Sequence, residues 1–387
     1  MTLPTPSSPP APTPPSVPVV PPAPPAPPAP VRFPLGWLLE NAAPPIQYRA
    51  ITEVARLPDA DPRAVGVLAL AHRPALALAM QQSSDGSWNR SMLTVPASKS
   101  SWFQGIGTIN AVRRLLEYGW DRDTPPLACA KRLLFRLLAE DDTPEYMFEL
   151  AAEAGEDEDL IRRGRAILRE AAAAVLAQAG YESDPRLRGA ASRIIGRIGD
   201  FLRSPLAAKP FVRHGNQHVL AAEAAPPSIY ALQMLAWMPL FRFEHYDTIE
   251  RLYHYLGQPL PRSEAVQLCG ATVVSQPHLV LGDLLPHRNA ADDDVPTALM
   301  WLELMARLGY LRRNEGWSRL LDRFLEDRDE RGVWHPHRGL AAAQSANPFT
   351  WAYYPLEEAQ SGEERWADAT FRLGLIARLA GRPIELG

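Results

Sequence analysis

Two cysteines, Cys129 and Cys269, are all the chain contains, and each sits among apolar residues ("LACAKRLL" and "VQLCGATVV"). A pair so far apart in sequence makes no disulfide framework, so a reducing, cytoplasmic setting is the expectation. A basic excess is also missing: 40 Lys and Arg face 44 Asp and Glu, for a formal charge of -4. Without a basic stripe to meet phosphates, nucleic acid is not an expected partner. Long apolar runs are missing too. The most lipid-like stretch, residues 64–80, is broken by His72, Arg73 and Pro74 and falls short of the ~20 apolar residues a membrane span requires. The first residues have neither a basic cluster nor an apolar core, so no signal peptide is expected. Alternating β-branched runs are nearly absent, and only "ATVVSQPHLVL" (271–281) is ambiguous. An all-α chain is the expectation.

Proline and helical periodicity are what the sequence does have. About half of the first thirty residues are proline, which removes backbone donors and favours extended polyproline II over a packed core. Residues 1–34 therefore read as a disordered arm, either a tether or a ligand for a domain that reads PxxP segments, and 35–387 as one folded domain. In "EGWSRLLDRFLEDR", Trp317, Leu320, Leu321, Phe324 and Leu325 fall at i, i+3, i+4, i+7 and i+8, one face of an amphipathic helix. Similar patterns occupy roughly 45–57, 63–82, 100–118, 125–139, 158–178, 185–203, 228–238, 246–256, 295–309 and 364–380. The acidic run 139–160 reads as a solvated connector.

Part of this pattern recurs. "TINAVRRLLEYG" (108–119), "TALMWLELMARLG" (297–309) and "TFRLGLIARLAG" (370–381) each begin at a threonine and stop at a glycine, the residue that accepts a positive φ past a helix end. Before the first and third of these comes a Gly-x-Trp turn, "QQSSDGSW" (81–88) and "EDRDERGVW" (326–334). Asp85 can close an Asx turn, Gly86 can supply the positive φ, and Trp88 is then aimed back at the preceding helix while Gln81 or Gln82 bridges to amides at a neighbouring helix N-terminus. Gly332 and Trp334 repeat the arrangement without the glutamine.

The Q-x(2-5)-G-x-W pattern resembles the QW repeat of squalene cyclases and of the wider terpene cyclase and prenyltransferase superfamily. The segment "WLLENAAPPIQYRAITEVARLPDADPRA" (37–64) resembles the start of squalene-cyclase-like bacterial proteins of unassigned function. The resemblance implies an α/α toroid, a barrel of αα-hairpins whose inner helices enclose a cavity, and a hydrophobic or isoprenoid-like ligand. It also implies an Asp-rich acid motif, which is not intact here. In "AADDDVPTALMW" Asp293 matches the first acid, Val295 and Pro296 replace the others, and Asp292 and Asp294 are out of register. Acids in front of a helix also cap its amides, which is the plainer reading.

Other polar groupings have both a chemical and a structural reading. His335 and His337 in "WHPH" follow the second Gly-x-Trp turn and could reach a cavity mouth. Cys269, His278, Asp283 and His287 are chemically suitable zinc ligands, but their spacing fits no zinc motif, and no metal or other cofactor is expected. His214 and His218 in "RHGNQH" would share a face if helical, yet the Gly-Asn between them suggests a loop or a helix start. Trp237, Phe241, Phe243, Tyr253 and the aromatics of "PFTWAYYPLEEA" could line an apolar cavity or pack between helices. Three functions stay open: a toroid holding a hydrophobic ligand or lipid, with or without catalysis; a non-catalytic helical scaffold for a protein partner recruited in part by the arm; and a carbohydrate-active (α/α) barrel.

Overall fold

A computed structural model of the chain describes residues 29–58, 61–97, 103–139, 148, 155–259, 261, 263–270, 272–287, 289–336, 345, 347–356 and 361–387. The two ends of this fold meet. Strand β1 (Val31–Phe33) pairs in parallel with β6 (Ile384–Leu386), Val31 opposite Ile384 and Phe33 opposite Leu386. Val31 and Phe33 are buried, so residues within the stretch assigned to the arm take part in the core. Residues 1–28 lie outside the described residues.

After β1 come α1 (Leu35–Asn41) and α2 (Pro44–Arg49), the latter running into a π-helical turn, Ala50–Ala55. Helices α3 (Pro62–Leu70) and α4 (Arg73–Met80) split at the His72-Arg73-Pro74 break, where proline suits a helix start and not an interior. Then follow α5 (Thr108–Glu117), α6 (Pro125–Leu137), α7 (Glu158–Gln178) and α8 (Pro185–Arg203). A hairpin, β2 (Phe211–His214) and β3 (Gln217–Leu220), precedes α9 (Ile229–Ala236), α10 (Pro239–Glu244) and α11 (Tyr246–Leu256). A second hairpin, β4 (Val266–Cys269) and β5 (Thr272–Ser275), leads to α12 (Ala290–Asp293), α13 (Val295–Arg307), α14 (Glu315–Glu326) and α15 (Ala367–Leu379).

The expected all-α toroid is corrected by the strands. The two hairpins join through a parallel β3–β4 pairing into a four-stranded sheet in the order β2-β3-β4-β5, beside the two-stranded β1–β6 sheet. The chain is mostly helical with two sheets, and a closed barrel of αα-hairpins is not what the described residues establish. Both hairpins turn through a two-residue loop with glycine first, Gly215 and Gly270, each near φ +59. Positive φ at that position matches the right-handed twist of the flanking strands.

The helices nonetheless sort by burial. Helix α9 is buried along its whole length, and α5, α13 and α15 nearly so, the signature of helices wrapped by protein on every side. In space α5 packs on α7, α7 on α9, α9 on α13, α13 on α15, and α15 on the π-helical turn. More amphipathic helices cover them: α8 lies on α7, α11 on α8, and α14 on α15. In α14 the buried residues are Trp317, Leu320, Leu321, Phe324 and Leu325, the stripe read from spacing. The expected glycines end α5, α13 and α15: Gly119, Gly309 and Gly381 lie at φ +85, +78 and +78. In each case the following amide returns to a carbonyl five residues back, as Trp120 does to Leu115 at 3.0 Å.

Candidate functional site

The Gly-x-Trp turns are fasteners. In the first, the Asp85 carboxylate accepts from the Ser87 amide (2.9 Å) and hydroxyl (2.7 Å), and Gly86 turns at φ +91. Trp88 is fully buried and its indole donates to the Leu78 carbonyl of α4 at 2.8 Å, while Gln82 donates to the Pro126 carbonyl in the first turn of α6. The Trp88 amide donates to the Thr108 hydroxyl at 3.0 Å, which explains why the next helix begins at a threonine. The second copy repeats the backbone: Gly332 turns at φ +96, and the Trp334 amide donates to the Thr370 hydroxyl at 3.0 Å.

The acids before α13 are spent on structure. Asp294 caps the helix, accepting from the Thr297 amide at 3.0 Å and from the Ser345 hydroxyl. Asp292 pairs with Arg323 of α14, and Asp293 is exposed at the end of α12. Val295 and Pro296 are buried in the first turn. His335 lies 3.4 Å from the Asp329 carboxylate, edge-on to Trp366, and His337 lies outside the described residues, as does most of the acidic run 139–160. Among the described residues, Asp292, Asp293, Asp294 and His335 do not converge on one cavity.

Nor do the four suggested zinc ligands. Cys269 is buried in β4, with its thiol pushed up by burial. Asp283 accepts the indoles of Trp301 (3.1 Å) and Trp317 (2.9 Å) and the Leu285 amide (2.9 Å) on a single oxygen; burial raises its pKa against these bonds. It shares a polar groove of about 570 Å³ with the exposed His287 and the charged face of α14. Three of the other charges there are paired, Arg323 with Asp292, Asp322 with Arg382 and Arg319 with Glu315. Among the described residues no group of three or more His, Cys, Asp or Glu is placed to hold a metal. His214 and His218 sit on the β2–β3 hairpin, opposite Gln217 and Arg213, and not on a helix.

A different cavity gathers separate parts of the chain. About 490 Å³ opens at the N-terminal ends of α5, α7 and α9, closed by the end of β5 with the residues after it and by Pro348 and Phe349. Leu93, Leu160, Ile167, Val274, Pro277 and Phe349 make its walls largely apolar. Three polar groups matter inside. Arg163 is neutralised, bonded to the Asp159 carboxylate and the Gln267 side-chain oxygen at 2.9 Å each. Asn110 spends its amide nitrogen on the Leu93 carbonyl at 2.6 Å, which leaves Oδ1 for a guest. Burial lowers the His278 pKa from 6.5 to about 4, so its imidazole is neutral at pH 7 and can accept or donate one hydrogen bond. Of the residues singled out by sequence, His278 and Phe349 (in "PFTWAYYPLEEA") line this cavity, whereas Phe243 is solvent-exposed and Phe241 is packed in the core.

Beneath it lies a buried ionic network that sequence reasoning missed. Arg372, wholly buried, reaches Glu117 (2.8 Å), Glu303 (3.2 Å) and Asp368 (3.4 Å), and Glu117 also takes Arg49 at 2.5 Å. Arg49 and Arg372 hold the Glu117 carboxyl down to about 2, against the opposing effect of burial, the largest single influence on it. The signal was present in α5, where Asn110, Arg113 and Glu117 fall at i, i+3 and i+7, a polar stripe on a helix otherwise made for the core. Comparison with known proteins gives no match: no family model, no curated protein and no solved structure aligns significantly with the chain. Among the described residues no helix is long and apolar enough to cross a membrane.

Proposed function

We propose that the chain is a binding protein for a small, largely apolar molecule with an uncharged polar end, isoprenoid in class. The single observation that supports this reading most is the 490 Å³ cavity, whose apolar walls come from separate elements and whose polar groups are few and convergent, the usual make-up of a small-molecule site. The resemblance of the Gly-x-Trp turns to the QW repeat supports an isoprenoid over other apolar guests. The polar end is uncharged because Arg163 already has its carboxylate, whereas Asn110 Oδ1 and the neutral His278 suit a hydroxyl. A diphosphate would have to compete with Asp159 for Arg163, at a cost in desolvation. Among the described residues no Asp or Glu lines this cavity, so binding is what we propose.

The test is thermal melting and equilibrium binding with farnesol, squalene and farnesyl diphosphate. Farnesol should bind best and raise the melting temperature, and the diphosphate should bind weakly. Ile167→Trp, which fills the cavity from α7, should abolish binding in a folded protein. If none of the three ligands binds the wild type, or if Ile167→Trp binds farnesol as well as the wild type does, the reading fails.

A further inference from the structure

One turn along α5 and α9 from the apolar cavity, Asn110 and Tyr230 give way to Arg113 and Gln233, which face a second cavity of about 40 Å³. Arg113 is 6 % exposed and Gln233 7 % exposed. Among the described residues the Arg113 guanidinium makes no hydrogen bond and no ion pair, and the Gln233 carbonyl oxygen is buried without a partner. An arginine cannot discharge by losing its proton, and a buried, uncompensated cation is costly.

The surrounding acids do not compensate it, because each is already committed. Glu117 holds Arg49 and Arg372 and accepts from Gln178 at 2.7 Å. Glu303 holds Arg307 at 2.8 Å and Arg372 at 3.2 Å, Glu53 holds Arg49, and Asp368 holds Arg372 and the Leu356 amide. Four carboxylates match Arg49, Arg113, Arg307 and Arg372 in number, but all their ion pairs go to the other three and none reaches Arg113. Burial accordingly lowers the Arg113 pKa, with Glu117 opposing only in part. Half-buried Gln178 and Trp237 stand on the cavity's outer side, Trp237 stacked against the Arg307 guanidinium at 3.8 Å.

We propose that this cavity binds one small monovalent anion, held by the Arg113 guanidinium and by the Gln233 amide turned to donate. Glu117 and Glu303 also line the cavity, which disfavours a doubly charged ion such as sulfate. The anion gives Arg113 a direct partner, which none of the committed carboxylates does, and so couples the packing of α5, α9 and α13 to its concentration. The source is either an inorganic halide or the carboxylate of a very small organic acid, and the two share the same chemistry at Arg113. This inference does not rest on the proposed isoprenoid binding, since the two cavities have different linings.

The experiment follows thermal melting of wild type and Arg113→Gln in sodium chloride, formate and sulfate at matched ionic strength. For the wild type, chloride or formate should give a saturable rise of about 4 °C that sulfate does not give, and the tighter of the two identifies the source. Arg113→Gln should lose the saturable part, while Ile167→Trp, altered outside this cavity, should keep it. Identical curves in all three salts, or a saturable rise retained in Arg113→Gln, would overturn the proposal. If Arg113→Gln does not fold, chloride-35 line broadening with the wild type decides: broadening that formate removes supports the site, and its absence refutes it.

Discussion

The two Gly-x-Trp fasteners share a backbone and differ in almost every side chain around it. In the first copy the Gly86 amide returns to the Ser83 carbonyl and Ser83 to Ser87; in the second Gly332 returns to Asp329 and Asp329 to Val333, at matching distances of 2.9 and 2.8 Å. Each tryptophan amide donates to a threonine hydroxyl at 3.0 Å, Thr108 at the start of α5 and Thr370 in the first turn of α15. The indoles part company there: Trp88 bonds the Leu78 carbonyl, whereas Trp334 has no partner for its N–H and packs edge-on to Trp366, 5.6 Å between ring centres. What is reused is therefore the glycine turn, the threonine acceptor and the buried ring, and the indole hydrogen bond is dispensable.

Replacing either ring tests this most severely. Trp88→Ala and Trp334→Ala should each cost about 4 kcal/mol, the scale for deleting a large buried side chain, measured by denaturant unfolding. A loss under about 1 kcal/mol at either site would show that the copy there holds nothing together. The glycines come next. A Cβ on Gly86 would stand 2.9 Å from the Cys129 carbonyl oxygen of α6, and one on Gly332 would stand 2.8 Å from that of Arg32 in β1. With positive φ added, Gly86→Ala and Gly332→Ala should each lose about 3 kcal/mol, and equal losses would confirm that both turns are pressed against a neighbour.

Acid should separate the copies. His72, before α4 in the first unit, is buried edge-on to Tyr118, and its pKa is lowered from 6.5 to about 4, by burial first and by Arg114 second. The unfolded chain then binds a proton that the folded one does not between those values, so stability falls as pH drops from about 6.5 toward 4. At pH 5 the loss from this group is about 2 kcal/mol. His72→Gln should flatten that slope, and amide exchange should show α4 opening in acid before α14. Equal opening at both ends would break the asymmetry.

The smaller contrast concerns the indole N–H. Trp88→Phe strands the Leu78 carbonyl, while Trp334→Phe removes a donor that was already unsatisfied. Beyond the common loss of ring area, Trp88→Phe should therefore cost about 1–2 kcal/mol more. Equal costs would show that the 2.8 Å bond contributes nothing.

Much of this was legible in the residues. The stripe of α14, the glycine stops and the turn chemistry of Asp85 and Gly86 follow from local geometry, which sequence spacing reports directly. The sheets did not show because their strands run three or four residues, too short for alternation to register. One hairpin did leave a trace: "HGNQ" is a Gly-first two-residue loop, a hairpin signal between His214 and His218. Buried charges were hidden for a different reason. Arg113, Glu117, Glu303 and Arg372 sit on helices whose polar residues ordinarily face water, and only tertiary packing turns those stripes inward. The aspartates before α13 illustrate the reverse: three acids in a row invite chemistry, and Asp294 serves as a cap.

The last contrast asks what replaced the missing glutamine. Gln82 precedes the first turn and donates to the Pro126 carbonyl at 2.8 Å, on the same helix whose Cys129 carbonyl Gly86 touches. Arg328 precedes the second turn, and its guanidinium donates at 2.8 Å to the Arg32 carbonyl, the very group that Gly332 touches. In both copies a long donor therefore bolts the turn to the element its glycine presses against, and arginine does in β1's neighbourhood what glutamine does at α6. Gln82→Ala and Arg328→Ala should each cost about 1 kcal/mol, one net hydrogen bond. Arg328→Gln should recover most of its share if the donor alone matters, because glutamine suffices at the first turn. If Arg328→Gln unfolds as readily as Arg328→Ala, the second copy depends on the reach or charge of arginine, and the two fasteners are alike in backbone only.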